Sequence, residues 1–215
     1  MYKLEHFGNI PIDNALLYNT IGHYNFPRNK VATMEKRGEI IRLKNGLFVV
    51  STEISRKPLS RELIANHLYG PSYISFETAL AFYGLIPEKV FALRSATFKR
   101  AKQFENTVGR FEYITVPQAY FPIGISQQTV DNEYTYMLAA PEKALCDLIL
   151  ATPNLYLQSA RAMQVYLEED LRIDFSSFKS VDVIIINKCI ETGRKKKELE
   201  LLLKILSDFK SSLNH

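Results

Sequence analysis

Between Phe26 and Lys57 the chain carries Arg28, Lys30, Lys36, Arg37, Arg42, Lys44, Arg56 and Lys57 against Glu35, Glu39 and Glu53, a local excess of +5. The whole 215-residue chain has a formal charge of only +4, so this one stretch matches the entire excess. Cations gathered this way neutralise phosphates, and Arg and Lys interleaved with Asn and Thr also reach base edges. Other chemistries lack their residues. No GxxxxGK[ST] loop and no GxGxxG pattern is present. The four histidines, His6, His23, His67 and His215, have no HExxH or comparable ligand spacing. There is no GxSxG elbow, and neither Cys146 nor Cys189 has a histidine nearby in sequence. Glu168, Glu169 and Asp170 are consecutive on one helix and so point in different directions. The sequence reads as a binding protein rather than an enzyme, with no cofactor and no metal expected.

The elements that position these cations come in a telling order. "EIIRL" and "LFVV" are two runs of β-formers joined by "KNG", and Asn-Gly between apolar runs predicts a hairpin with a type I′ turn. Upstream, "PIDNALLYNTIGHY" spaces Ile12, Leu16, Thr20 and Tyr24 by four, with Leu17 and Ile21 beside them, which predicts a helix capped by Asp13 or Asn14. "NFPRNKVATMEKRG" predicts a second helix, with Asn25 as cap, Pro27 in the first turn, Val31 and Met34 inward, and Gly38 as stop. Helix, turn, helix and hairpin in that order form the end of a winged helix-turn-helix. The residues then placed to meet double-stranded DNA are Arg28, Lys30, Thr33, Lys36 and Arg37 on the helix, with Asn29 beside them, and Arg42, Lys44 and Asn45 on the wing.

After residue 57 composition changes, and "SRKPLSR" suits a linker between a DNA-binding domain at 1–57 and a second domain at 58–215. "LSRELIANHLYG" predicts a helix capped by Ser60, and "SYISFETALAFYGLIPE" another with an apolar stripe of Ile74, Leu80 and Tyr83. "VFALRSATF", "GRFEYITV" and "YTYMLAA" alternate with period two and predict an antiparallel sheet. "APEKALCDLILA" predicts a helix whose inner face is Ala144, Leu145, Leu148 and Ile149, leaving Cys146 at the core edge and Asp147 exposed. "VDVIIINKCIETG" is β-branched enough to be strand or helix, and "GRKKKELELLLKILSDF" is a final amphipathic helix with a solvated basic start. The expected class is α+β: an N-terminal winged helix-turn-helix, then a mixed domain with an antiparallel sheet and several helices. Each half is expected to bury its own stripe, Leu16 with Val31 and Met34 in one, Leu80, Tyr83, Leu145 and Leu148 in the other.

One further basic run, "LRSATFKRAK", holds Arg94, Lys99, Arg100 and Lys102 with no acid among them. It reads either as an edge strand guarded against pairing or as a second basic face. No apolar run approaches the roughly 18 residues that cross a bilayer, and the first residues lack the apolar core of a signal peptide, so no membrane partner and a cytoplasmic location are expected.

The order of these features resembles the AbiEi antitoxin family, the antitoxin half of abortive-infection type IV toxin–antitoxin systems, along nearly the whole length. The likeness is carried by "IIRLKNGLFVV", "YISFETALAFYGLIPE", "ATFKRAKQF" with "GRFEYITV", and "LAAPEKALCDLI". One helix fewer precedes the recognition helix than in longer members. The resemblance implies a winged helix that represses its own operon and a C-terminal α+β domain that counteracts a nucleotidyltransferase-type toxin, without catalysis by the antitoxin. It leaves open whether toxin and antitoxin touch. Arg94, Lys99, Arg100 and Lys102 would then be the antitoxin's basic face. Two rivals stand beside it: a stand-alone winged-helix regulator whose second domain senses a ligand or dimerises, and an enzyme acting on nucleic acid.

Overall fold

The computed structural model of the chain describes residues 4–22, 24–88, 90–178 and 180–213. A two-residue strand β1 (Ile12–Asp13) leads into helix α1 (Asn14–Ile21), which Asp13 caps by accepting the Leu16 N–H at 2.8 Å. Helix α2 (Pro27–Lys36) opens on proline, whose fixed φ suits the first turn. Strands β2 (Ile40–Lys44) and β3 (Leu47–Val50) form the hairpin, and β1 joins β3 to give a three-stranded antiparallel sheet, β1-β3-β2. Its turn is not type I′. Of the Asn45-Gly46 pair only Gly46 takes positive φ, 77°, and the register slips between Arg42 and Lys44. The turn is held from outside: the Gly46 carbonyl accepts the Asn14 N–H at 3.1 Å, so α1 and not the strands' own twist fixes it.

Leu17, Ile21, Val31, Met34, Ile40, Phe48 and Val50 bury together. Leu16, expected in this core, is 45 % exposed, and Leu17 takes its place. Adjacent helical residues point about 100° apart, so only one leucine faces α2, and Leu17 is the one that stacks with Ile21 at i,i+4. Strand β3 alternates between two cores. Phe48 and Val50 face this first cluster, while Leu47 and Val49, with Leu43 of β2, belong to the large second one.

Beyond β3 come α3 (Thr52–Ser55), α4 (Arg61–Leu68), β4 (Tyr73–Ile74), α5 (Phe76–Phe82), β5 (Ala92–Thr97), β6 (Lys102–Asn106), β7 (Gly109–Thr115), β8 (Ile125–Val130) and β9 (Tyr134–Ala139). Helices α6 (Pro141–Ala151), α7 (Ala160–Val165), α8 (Val183–Thr192) and α9 (Lys196–Leu213) complete the chain, which is an α+β protein. The six-stranded sheet runs β6-β7-β5-β4-β9-β8. It is mixed rather than antiparallel: β5 with β7 and β4 with β9 are parallel, because each edge hairpin returns its inner strand beside an earlier one. The ambiguous "VIIINKCIET" is helical. Tyr83 is only half-buried. Residues 142–149 of α6 are all buried, so Asp147 and Cys146, placed by periodicity at the surface and the core edge, are both fully enclosed. The expected linker is tied down: Lys57 Nζ pairs with Glu133 at 2.6 Å, and Asn9 donates to the Pro58 carbonyl at 2.9 Å. Among the described residues no helix is long and apolar enough to cross a membrane.

Burial pushes the hydroxyls of Tyr73, Tyr113 and Tyr120 up, and that of Tyr136 up to about 12. An unfolded tyrosine titrates near pH 10. The folded protein therefore holds protons that the unfolded chain releases, so this stability is complete below about pH 10 and falls as pH climbs toward the folded values. Urea midpoints are expected to drop between pH 9 and pH 11, with the absorbance of the buried tyrosines as tyrosinate appearing together with unfolding. Full tyrosinate absorbance from a still-folded protein would contradict it.

Candidate nucleic-acid interface

Val31 and Met34 turn one side of α2 into the first core, and the rest of the helix is left to solvent. Arg28, Asn29, Lys36 and Arg37 are exposed, and Lys30 and Thr33 are partly so. Arg28 and Lys36 form no ion pair among the described residues, and Arg37 has only a loose one, 3.8 Å from Glu39. Lys30 lies over the Tyr24 ring at 5.4 Å, and the Thr33 hydroxyl donates to the Asn29 carbonyl within the helix. The helix thus offers a solvated row of cations and amides ending at the hairpin.

The hairpin's own cations are occupied. Arg42 makes a two-pronged contact with Glu35 of α2, Nε to Oε1 at 2.9 Å and Nη2 to Oε2 at 2.6 Å, and lies over the Phe48 ring. That hydrogen bond holds the Glu35 carboxyl below its usual range. Lys44 reaches the other way and donates to the Leu68 carbonyl at 2.5 Å, capping the C-terminal end of α4. Burial first, then nearby Lys102 and Lys99, lower its pKa. Asn45 at the turn is exposed. Arg42 and Lys44 therefore clamp the hairpin to both neighbours, which accounts for much of its basic character.

The second basic run divides. Lys99 donates to the Gly70 carbonyl at 2.6 Å and lies over the Tyr69 ring, while Lys102 covers Tyr69 and Phe104. With Lys44 they gather three ammonium groups round the end of α4. Arg100 is exposed, and its carbonyl accepts the Tyr69 hydroxyl. Arg94 stands apart on interior strand β5, paired with Glu77 and stacked on the Phe76 ring. Its place between β7 and β4 is not the sheet edge expected for it.

Sequence reasoning missed two features. Phe26, not Asn25, occupies the N-cap of α2; it makes no capping bond and is 71 % exposed. Its signal was an aromatic beside Pro27, where a cap oxygen is the rule. The other is a buried polar cluster. Lys143 Nζ lies 3.0 Å from Asp147 Oδ1, 3.2 Å from the Tyr120 carbonyl, and over the Tyr120 ring. The Ser75 hydroxyl donates to Asp147 Oδ2 at 2.6 Å. Next to it Phe76 holds a φ of 56°, rare for a buried aromatic. Serine, aspartate and lysine together resemble hydrolytic machinery, yet all three are 0 % exposed, so no substrate meets them. Burial also pushes the adjacent Cys146 thiol far up, away from nucleophilic thiolate. Among the described residues no three His, Cys, Asp or Glu side chains gather as metal ligands; His23 and His215 lie outside them.

No protein-family model matches the chain, and no curated protein matches it.

Proposed function

We propose that the chain is a DNA-binding repressor whose first 57 residues act as a winged helix-turn-helix with α2 in the major groove. One observation carries this: α2 leaves Arg28, Asn29, Lys36 and Arg37 exposed beside Lys30 and Thr33, with a hairpin following directly. The same residue types supply phosphate and base-edge contacts in helix-turn-helix proteins. Lys44, Lys99 and Lys102 add a second cationic site that backbone phosphates fit. The repressor would work in the cytoplasm as the antitoxin of a type IV pair, its partner a nucleotidyltransferase-type toxin. That half of the proposal rests on the AbiEi-like segments, "LAAPEKALCDLI" above all.

A mobility-shift titration on the protein's own upstream DNA tests the first half. Log K should fall linearly with log salt, and Lys36→Glu with Arg37→Glu should weaken binding to all sequences and flatten the slope by about 0.9 per lost contact. An unchanged slope contradicts phosphate contact by these two, and no binding at low salt contradicts the repressor reading. Co-expression with a neighbouring nucleotidyltransferase tests the second half, through rescue of growth. A stand-alone, ligand-sensing regulator is favoured by one feature, a cavity of about 380 Å³ among Glu77, Leu80, Ile86, Arg94 and Leu148, large enough for a small molecule. A gene without such a neighbour decides for it.

A further inference from the structure

Phe26, Asn29, Lys30 and Thr33 follow one another at i, i+3, i+4 and i+7, so they share one face of α2. With Tyr24 and Asn25 they line a shallow surface groove of about 430 Å³. This face is turned away from Val31 and Met34, which the core takes. Toward its N-terminal end stands Phe26, 71 % exposed and wholly apolar. A Ser, Thr, Asp or Asn in its place would satisfy a free N–H of the first turn. Phenylalanine makes no such bond and presents a ring to solvent, among cations that favour a polyanion as the occupant.

The N-terminal residues of a recognition helix are those that meet base edges. A phenyl ring has no donor or acceptor, so against a polar base edge it strands hydrogen-bonding groups. Only one major-groove edge offers an apolar group, the C5-methyl of thymine. We infer that Phe26 reads thymine, packing against that methyl at the N-terminal end of α2. The inference rests on the DNA-binding reading above and adds a specificity-determining residue to it.

The test uses the full chain and a duplex of its own upstream DNA in which each thymine of the protected segment is replaced singly by deoxyuridine, which removes only the methyl. At one thymine per bound helix the unaltered protein should lose about four-fold in affinity, the worth of one buried methyl group. Phe26→Ala should bind the thymine duplex about four-fold more weakly and be indifferent to the deoxyuridine exchange, while Phe26→Leu should stay sensitive. The side chain is largely exposed, so unchanged circular dichroism should accompany all three. If the alanine variant keeps the thymine-to-uracil ratio of the parent, or no replacement matters, the assignment to Phe26 is overturned and the DNA-binding reading survives. The assignment is equally overturned if the alanine variant binds DNA normally but forms smaller oligomers, since the ring then contacts protein. Failure of the parent protein to bind the unmodified duplex at low salt overturns both.

Discussion

Asp147→Ala is expected to lower the unfolding free energy by about 3–5 kcal/mol, the cost of leaving one partner of a buried ion pair without the other. The lysine left behind is 0 % exposed and keeps the Tyr120 carbonyl and the Tyr120 and Tyr73 rings, none of which carries a compensating charge. Ser75 loses its acceptor at the same time, which adds the desolvation of an orphaned hydroxyl. Asp147→Asn should be nearly as costly, because the shape is kept and the charge is not. Lys143→Met with Asp147→Leu removes both charges and should lose less than either single change, as buried pairs often do against apolar replacements of similar volume. Urea unfolding followed by circular dichroism of these variants, with Lys143→Met and Asp147→Leu also made singly, gives the values that close a double-mutant cycle. A loss under about 1 kcal/mol for Asp147→Ala would mean that water reaches Lys143 after all.

Why that pair was illegible in the sequence is a matter of range. Lysine and aspartate at i,i+4 on a helix read as a solvated surface pair, and usually are one. What buries this pair comes from elsewhere: Tyr120 lies 23 positions away and Ser75 lies 72 positions from Asp147. Features decided within one turn of helix were readable, and the caps Asp13 and Ser60 and the entry of α2 at Pro27 stand where the sequence put them. The basic hairpin lies between these extremes. Its charges were plain, but Glu35 and the Leu68 carbonyl, which occupy Arg42 and Lys44, were not, since nothing local aims one at the other. Strand β8, "ISQQTV", escaped because an edge strand with a solvated face carries too few apolar residues to show a period.

Cutting the chain after Lys57 is expected to leave a fragment with no cooperative melting transition. The polar "SRKPLSR" stretch, exposed at Arg56 and Pro58, invites such a cut, but Leu43, Leu47 and Val49 on the far face of the hairpin are buried in the second core. Lys44 and the Leu43 carbonyl are bonded to Leu68 and Asn106 on that side. Exposing three aliphatic side chains forfeits about 1.5–3 kcal/mol each. A unit of about 60 residues is marginal to begin with, and whole domains are stable by only about 5–15 kcal/mol. The lost burial is thus as large as the stability available. Thermal denaturation of the 1–57 fragment beside the full chain decides it; a sharp transition within a few degrees of the full chain's would show that the first core suffices alone. The functional consequence follows from the same clamp. Arg42 bonds the hairpin to α2 through Glu35, and Lys44 bonds it to α4, so α4 is linked through the hairpin to the helix that the proposed function places on DNA. A partner or ligand that favours one position of α4 would bias DNA affinity by its differential affinity for the two positions and by no more.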